Sequence, residues 1–330
     1  MKRLVLGRPF RSDSLGHTLL SKRIALPVFA SDPLSSVAYA TQEILLILTL
    51  GGLAYIHLTP YVGAAVVVLL AVVVLSYRQV VRAYPPSGGG SYEVVSKNLG
   101  PLAGLVVAAA LLVDYVMTVA VSVAAGVDNI ISAFPDLNAY RVGINIGFVI
   151  LLTAMNLRGV RESGRAFAIP TYAFIVGVYL MVGLGLLRAL LGHPPVAESA
   201  GYGIRAEQVG LTTVALILLV LRAFSSGCTA LTGVEAISNG GVPAFRKPKA
   251  LNAARTMAAM GGLLAVTMFA GVTVLALIAK TRVVENTCDL VGFHGDCTTE
   301  PQRTVIAQLA AAVFGNNSVM FFFTSRPPQH

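Results

Sequence analysis

Residues 29–48 read FASDPLSSVAYATQEILLIL, an apolar segment with an aspartate, a proline, hydroxyl groups and a glutamate in its interior. Each charged side chain near the centre of a bilayer costs about 2.5–3.5 kcal/mol on insertion scales. Pro33 removes a backbone donor and disfavours helical geometry at Asp32. The pattern therefore predicts a membrane-spanning helix that unwinds near Asp32, where neighbouring serines offer oxygens to the freed backbone groups.

The whole chain has the composition of a polytopic membrane protein. It contains 330 residues, of which 55% are hydrophobic and 12% charged, with a mean hydropathy of +0.76. An average soluble domain carries about 25% charged residues, so this composition argues against a soluble enzyme. Apolar runs recur at membrane-spanning length and predict an all-α fold with about eight spans. The predicted spans are residues 24–52, 60–82, 99–133, 141–156, 166–190, 210–240, 252–280 and 303–324.

The net charge of +9 follows the predicted topology. With the N-terminus inside, sixteen Lys and Arg residues fall in inner segments and only six in outer ones. The positive-inside rule then predicts a multi-pass protein of the cell membrane with a cytoplasmic N-terminus. This distribution explains the basic character of the chain without a nucleic-acid partner.

A second interrupted span predicts the domain organisation. Residues 225–241 read SSGCTALTGVEAISNGG, where glycines punctuate an apolar run. Two broken helices that each open a five-span half are typical of inverted-repeat transporters with a midplane site, although two kinked packing helices would give the same pattern. The predicted organisation is a cytoplasmic segment at 1–23, a first five-helix repeat at 24–190, a partial second repeat at 210–324 and a tail at 325–330. A complete second repeat would need two further spans.

Acids outnumber bases inside the predicted spans. They are Asp32, Glu43, Asp114, Asp128 and Glu235, against Arg222 as the one base well inside a span. This excess of negative charge favours a cation site or a site that takes up protons. Two of these acids allow a simpler interpretation: Asp128 lies near the outer end of its span, where a solvated acid is expected, and Glu43 either lines an access route or extends towards water.

Helical spacing groups the polar residues of the third span. Asp114, Thr118 and Ser122 follow one another at intervals of four residues, so they share one face of the helix. For Thr118 or Ser122 alone, interhelical hydrogen bonding is the simpler interpretation. Their alignment with Asp114 favours a binding role, because the acid is costly to keep inside a membrane.

Spacing in the two interrupted spans adds further oxygens to this group. Thr232 and Glu235 lie one helical turn apart, and Tyr39 follows Asp32 by seven residues. Carboxylate, hydroxyl and phenol oxygens, with backbone carbonyls freed at the breaks, suit an alkali cation whose hydration shell they replace. The five histidines are scattered, with no spacing that suggests a transition-metal site.

The three cysteines are too few for a disulfide scaffold. Cys288 and Cys297 both fall in the predicted outer loop between spans seven and eight, where either a disulfide or two free thiols fits the spacing. Cys228 lies within the sixth span, as expected of a small packing residue.

Five motifs carry a resemblance to a known family. They are FASDPLSSVAYATQEI, YPPSGGGSYEVVSKNLG, LLVDYVMTVAVSVAAGV, NLRGVRESGRAFAIPTY and SSGCTALTGVEAISNG. They resemble the KimA-type potassium importers of the amino acid, polyamine and organocation (APC) transporter superfamily, which are often labelled amino acid permeases. The likeness runs from about Ile24 to about Gly315.

The resemblance implies a LeuT-like fold and proton-coupled potassium uptake without a cofactor, and it allows a homodimer. Carried over position by position, the family's cation-site residues fall on Asp32, Tyr39, Asp114, Thr118, Ser122 and Thr232, with Glu235 in the proton-linked role. Full members have more spans and a cytoplasmic C-terminal domain, so the eight predicted spans correspond to an incomplete fold.

Three hypotheses follow from the sequence. The first is a potassium and proton symporter, in which Asp32 and Asp114 bind the cation and Glu235 titrates. The second is an amino acid permease of the same fold, although the acid-rich site would repel a substrate carboxylate. The third is a truncated membrane fragment that does not itself transport, or an interaction partner.

Overall fold

The computed structural model describes residues 19, 22–84, 89–157, 160–208, 210–293, 296–298 and 300–315. Within these residues the chain is mostly helical. The α-helices are α1 Lys22–Thr49, α2 Thr59–Ala83, α3 Gly90–Leu99, α4 Pro101–Ala133, α5 Arg141–Asn156, α6 Val160–Leu190, α7 Thr213–Gly227, α8 Lys249–Met257, α9 Val266–Ile278 and α10 Val305–Phe314. A π-helix, Ala258–Ala265, joins α8 to α9.

Short 3-10 helices occupy several of the connections. They are Leu53–Leu58, Pro135–Tyr140, Glu198–Gly201, Cys228–Leu231, Val234–Ile237, Val242–Ala244 and Thr287–Asp289. Two strands, β1 Gly203–Ile204 and β2 Leu290–Val291, form an antiparallel pair with Gly203 opposite Val291. This pair ties the loop before α7 to the loop before α10.

Helix α1 forms the centre of the molecule. It packs most extensively against α6 and α7, and Leu34, Ile44 and Leu48 on it are fully buried. Helices α2 and α9 and the π-helix complete the hydrophobic core around it. Helix α4 lies further out and exposes large apolar side chains such as Leu105 and Val116, as expected of a surface that faces lipid.

The predicted opening of the first span is wrong. Helix α1 is continuous from Lys22 to Thr49 and contains both Pro27 and Pro33. Pro33 lacks its backbone N–H, so the carbonyl oxygen of Phe29, four residues earlier, has no helical donor. The hydroxyl of Ser35 donates a hydrogen bond to a different carbonyl oxygen, that of Asp32, at 2.8 Å. Close neighbouring helices allow proline inside a membrane helix, and α1 is enclosed by α6 and α7.

Six helical segments of the described residues are long and apolar enough to cross a membrane. They are Leu53–Ala83, Pro101–Ala133, Pro135–Met155, Ala168–Leu190, Thr213–Ile237 and Lys249–Ile278, and they correspond to the second to seventh predicted spans. Helix α1 is long enough, at about 42 Å for 28 residues, but its acids and hydroxyls lower its hydropathy. Helix α10 covers only part of the eighth predicted span, since residues 316–324 and the predicted tail lie outside the described residues. The predicted total of eight therefore stays a prediction, as do the domain boundaries.

Local sequence signals mark the ends of two helices. Thr212 and Thr304 precede α7 and α10, and each side chain accepts a hydrogen bond from the third residue of its helix at 3.3 Å. Both are N-caps of the expected type, since a hydroxyl oxygen satisfies one of the free amides of the first turn.

The loop before α10 contains a disulfide between Cys288 and Cys297. The spacing allowed either a disulfide or two free thiols, and the structure contains the disulfide. An ion pair of 2.7 Å between Arg303 and Glu198 also fastens this loop to the 3-10 helix Glu198–Gly201.

Candidate functional site

The sixth predicted span is interrupted directly after α7. A 3-10 turn follows it, and the backbone then becomes extended at Thr232, with φ −63° and ψ 143°. Gly233 adopts the left-handed conformation, with φ 81°, before the next 3-10 turn begins at Val234. Because this conformation is unfavourable for residues with a Cβ atom, glycine is the residue that permits the break.

Asp32 of α1 lies against this break. A Cβ atom built on Gly233 would be 2.6 Å from Oδ2 of Asp32 and 2.7 Å from Cδ of Pro33. The absence of a side chain at Gly233 therefore lets the carboxylate approach the unwound backbone. The predicted neighbourhood of Asp32 and the sixth span is present, although α1 itself does not open.

Hydroxyl groups join α1 to the same break. The Ser36 and Thr232 hydroxyl oxygens are 2.6 Å apart, and the Tyr39 hydroxyl donates a hydrogen bond to Ser36 Oγ at 3.2 Å. Thr232 donates in turn to the carbonyl oxygen of Thr229 at 2.8 Å. Two predicted site residues, Tyr39 and Thr232, are thus brought together through Ser36, which has no exposed surface.

The predicted residues of α4 form fewer hydrogen bonds with this group. Ser122 lies 3.4 Å from Ser35, measured between the hydroxyl oxygens, and Thr118 is buried. Asp114 interacts electrostatically with Asp32 across the site. In the described part of the chain, Asp114 and Thr118 form no hydrogen bond with the other predicted site residues.

Glu235 is the most enclosed of the predicted site acids, with 8% of its surface exposed. The backbone of Gly233 and of Glu235 itself faces the carboxylate, which also interacts electrostatically with Asp32 and Asp114. Its Oε1 atom is buried and has no hydrogen-bond partner among the described residues. A buried carboxylate oxygen without a partner is costly, so this geometry suits an added proton or cation.

The charges of these three acids are not balanced by nearby bases. The ion pairs within the described ranges are Lys97–Glu93, Arg141–Asp128 and Arg303–Glu198. None involves Asp32, Asp114 or Glu235. The described residues also contain no cluster of three His, Cys, Asp or Glu side chains close enough to hold a metal ion, so the carboxylates surround the break without converging on one point.

A cavity of about 630 Å³ begins at the site and extends between α1, α4 and α6. Ser35, Tyr39 and Ser122 line one part of it, and Glu43 and Asp128 line another. A smaller cavity of about 280 Å³ shares Glu43 and Asp128 with the first and reaches the loop before α10. Glu43 thus lines both cavities, and its place on an access route stays a prediction. Asp128 pairs with Arg141 at 2.7 Å and does not stand alone in solvent.

Two polar residues that contact this region were absent from the predicted site. Ser36 lies four residues after Asp32 and three before Tyr39, so helical spacing alone could have placed it on their face. Asn239 accepts a hydrogen bond from the backbone N–H of Ser91 and donates one to the hydroxyl of Tyr115, each at 2.9 Å. These contacts join the end of the interrupted span to α3 and α4, and no local spacing indicates them.

Comparison with known proteins gives two findings. Residues 25–325 match the model of a family described as amino acid permease. The chain is also 43% identical, over 321 residues, to the potassium transporter KimA of Bacillus subtilis (strain 168). The aligned region covers 96% of this chain and 48% of that relative, so the chain spans about half the relative's length.

Proposed function

Because the chain belongs to the amino acid permease family, we propose that it is a secondary active transporter that takes up potassium ions together with protons. The family implies a LeuT-like fold and a multi-pass membrane protein, not an enzyme. The relative named as a potassium transporter supports potassium as the substrate. Under this proposal the transported ions are the only ligands, and no cofactor takes part.

The observation that carries the proposal is the unpaired, buried oxygen of Glu235. Its Oε1 atom lacks a hydrogen-bond partner in the described part of the chain, and two further carboxylates act on it electrostatically. Bringing three negative charges into a low-dielectric region is unfavourable unless cations or protons neutralise them. A site of this kind requires positive charge, and potassium with a proton supplies it.

The proposed ligands of potassium are oxygens from α1, α4 and the break. They are the side chains of Asp32, Tyr39, Asp114, Thr118, Ser122 and Thr232. Only oxygen atoms are offered, and such a set favours hard cations over transition metals. In the described part of the chain, Asp114 and Thr118 form no hydrogen bond with the other proposed ligands, so the ion itself would join them to the break.

Glu235 is proposed to bind the coupled proton. It is more enclosed than the other two acids and lies one turn beyond Thr232, so its charge acts directly on a cation held at the break. Protonation of Glu235 would remove one negative charge as potassium is taken up or released. Binding of the two positive charges at neighbouring positions in the same state of the transporter would couple their movements.

The orientation remains part of the proposal. The excess of Lys and Arg in alternate connections supports a cytoplasmic N-terminus and insertion in the cell membrane. The cavity lined by Glu43 then opens towards the outer side, where potassium would enter. A homodimer is proposed on the family resemblance alone.

Rubidium uptake tests the potassium site. We expect the full-length gene product, expressed in cells that lack other potassium importers, to take up rubidium, and Asp32→Asn to abolish this uptake. Asp136→Asn is the matched control, because Asp136 is an exposed acid on the 3-10 helix Pro135–Tyr140. Uptake by Asp32→Asn at the wild-type rate would contradict the assignment of Asp32.

The proton-linked role has its own readout. Glu235→Gln carries no titratable group, so its rubidium transport should become independent of an imposed pH gradient. If uptake by this variant follows the gradient as in the wild type, Glu235 is not the coupling group.

An amino acid permease is the second candidate. The family name and the cavity of about 630 Å³, which is far larger than a bare alkali ion, favour it. Competition of rubidium uptake by the common amino acids, or uptake of a labelled amino acid, would support this alternative over potassium.

A further inference from the structure

Three hydroxyl groups form a continuous chain from α1 to the interruption after α7. The Tyr39 hydroxyl donates to Ser36 Oγ at 3.2 Å, and Ser36 Oγ lies 2.6 Å from Thr232 Oγ1. Thr232 Oγ1 in turn donates to the carbonyl oxygen of Thr229 at 2.8 Å. Ser36 is the central member and has no exposed surface, so bulk water does not compete for its bonds.

Counting donors shows which group donates in each hydrogen bond between these three hydroxyls. A hydroxyl group has one proton to donate and two lone pairs to accept with. Because Thr232 gives its proton to Thr229, it can only accept from Ser36. The proton of Ser36 is then committed to Thr232, so Ser36 can only accept from Tyr39, which agrees with the bond observed there.

This ordering leaves lone pairs where a cation could use them. Thr232 and Ser36 each keep one free lone pair, and Tyr39 keeps both. No proton of the three groups remains free to turn into the site. The O–H dipoles are therefore held with their oxygen ends available, which is the orientation that attracts a cation.

We propose that Ser36 is a positioning residue for the transported cation: it accepts the proton of Tyr39 and donates its own proton to Thr232, so that the oxygens of Tyr39 and Thr232 face the site only as acceptors. This inference rests on the proposed function, since it assigns a role within that same site. Without Ser36, the Tyr39 proton has no partner on α1 and can point at the ion, where it opposes binding. Thr232 would also lose the hydrogen bond that orients it.

The test is a comparison of rubidium uptake by the full-length gene product and its variants, measured as separate KM and maximal rate. Ser36→Ala should raise KM about fivefold, the size expected from the loss of one neutral hydrogen bond, with little change in maximal rate. Ser36→Thr keeps the hydroxyl and should keep the wild-type KM. If Ser36→Thr raises KM as much as Ser36→Ala does, the positioning role is wrong.

A double-mutant cycle separates positioning from general packing. If Ser36 acts mainly through Tyr39, Ser36→Ala should raise KM much less in the Tyr39→Phe variant than it does in the wild-type protein. If the KM of the double variant rises by the product of the two single effects, the substitutions act independently and the proposal is wrong. A wild-type KM in Ser36→Ala would also overturn it.

Thr41→Val is the matched control. Thr41 is a buried hydroxyl on the same helix, and it bonds Thr273 of α9 at 2.9 Å without belonging to the chain of three. We expect its KM to be unchanged, and a rise equal to that of Ser36→Ala would show that any loosening of α1 has the same effect.

If the wild-type protein takes up no rubidium, the proposed function itself fails. If the wild type transports and only the predicted changes in KM are missing, the function stands and this inference alone fails.

Discussion

Replacing Gly233 with alanine should damage both the fold and the cation site. The new methyl group would lie 2.6 Å from Oδ2 of Asp32 and 2.7 Å from Cδ of Pro33, below the 3.0 Å under which real Cβ contacts essentially never occur. The carboxylate or the backbone of the break must therefore move by several tenths of an ångström. The φ of 81° adds strain, since a left-handed residue with a Cβ atom costs about 1–2 kcal/mol.

The two effects have separate magnitudes. Backbone strain alone should lower the free energy of unfolding by about 1–2 kcal/mol. Displacement of the Asp32 carboxylate should weaken cation binding, because a charged acceptor contributes about 1.5–3 kcal/mol to a bond that it makes. If half of the upper value is lost, about 1.5 kcal/mol, the KM for rubidium should rise roughly tenfold.

Gly240→Ala provides the matched control for this variant. Gly240 belongs to the same glycine-punctuated segment, but its Cβ position has no heavy atom within 4 Å and its φ is not positive. Thermal unfolding in detergent and rubidium uptake should therefore change in Gly233→Ala and stay near wild type in Gly240→Ala. A Gly233→Ala protein with wild-type stability and KM would refute the close approach of Asp32 to the break.

Two further predictions concern the loops before α7 and α10. Protein denatured without reductant should react with a maleimide only at Cys228, and at all three cysteines after reduction; three reactive thiols without reductant would contradict the Cys288–Cys297 disulfide. Burial raises the pKa of the Glu198 carboxyl above its ordinary value of 4.5, although the Arg303 guanidinium opposes the shift. The folded protein therefore holds this proton more tightly than the unfolded chain does, so the linked stability is present below about pH 4.5 and is lost as the pH rises through the raised pKa. Glu198→Gln should flatten that part of the profile of thermal stability against pH, and an identical profile for the two proteins would count against the assignment.

The apolar helices were predictable because their signal is local. A run of about 20 apolar residues must bury its backbone polar groups within a helix in lipid, whatever its neighbours are. The segments Pro101–Ala133 and Ala168–Leu190 follow the predicted spans closely for this reason. The family was also predictable, because its motifs are long continuous stretches of sequence.

The course of α1 was not predictable from Pro33 alone. The loss of one backbone donor is a local fact, but whether the helix opens depends on what replaces that donor. Here α1 is enclosed by α6 and α7, and the helix continues through Pro33. The sixth span differs because Thr232 and Gly233 depart from helical dihedral angles at the point where Asp32 packs.

Composition and spacing were enough to predict a helical membrane protein with acids in its spans, and to predict which residues share a helix face. Those properties depend on composition and on a period of 3.6 residues, which neighbouring helices do not alter. The contact of Ser36 with both Tyr39 and Thr232, and that of Asp32 with Gly233, emerged only in the folded protein. These contacts depend on how helices far apart in sequence pack, and a difference of one ångström there decides whether two oxygens bond.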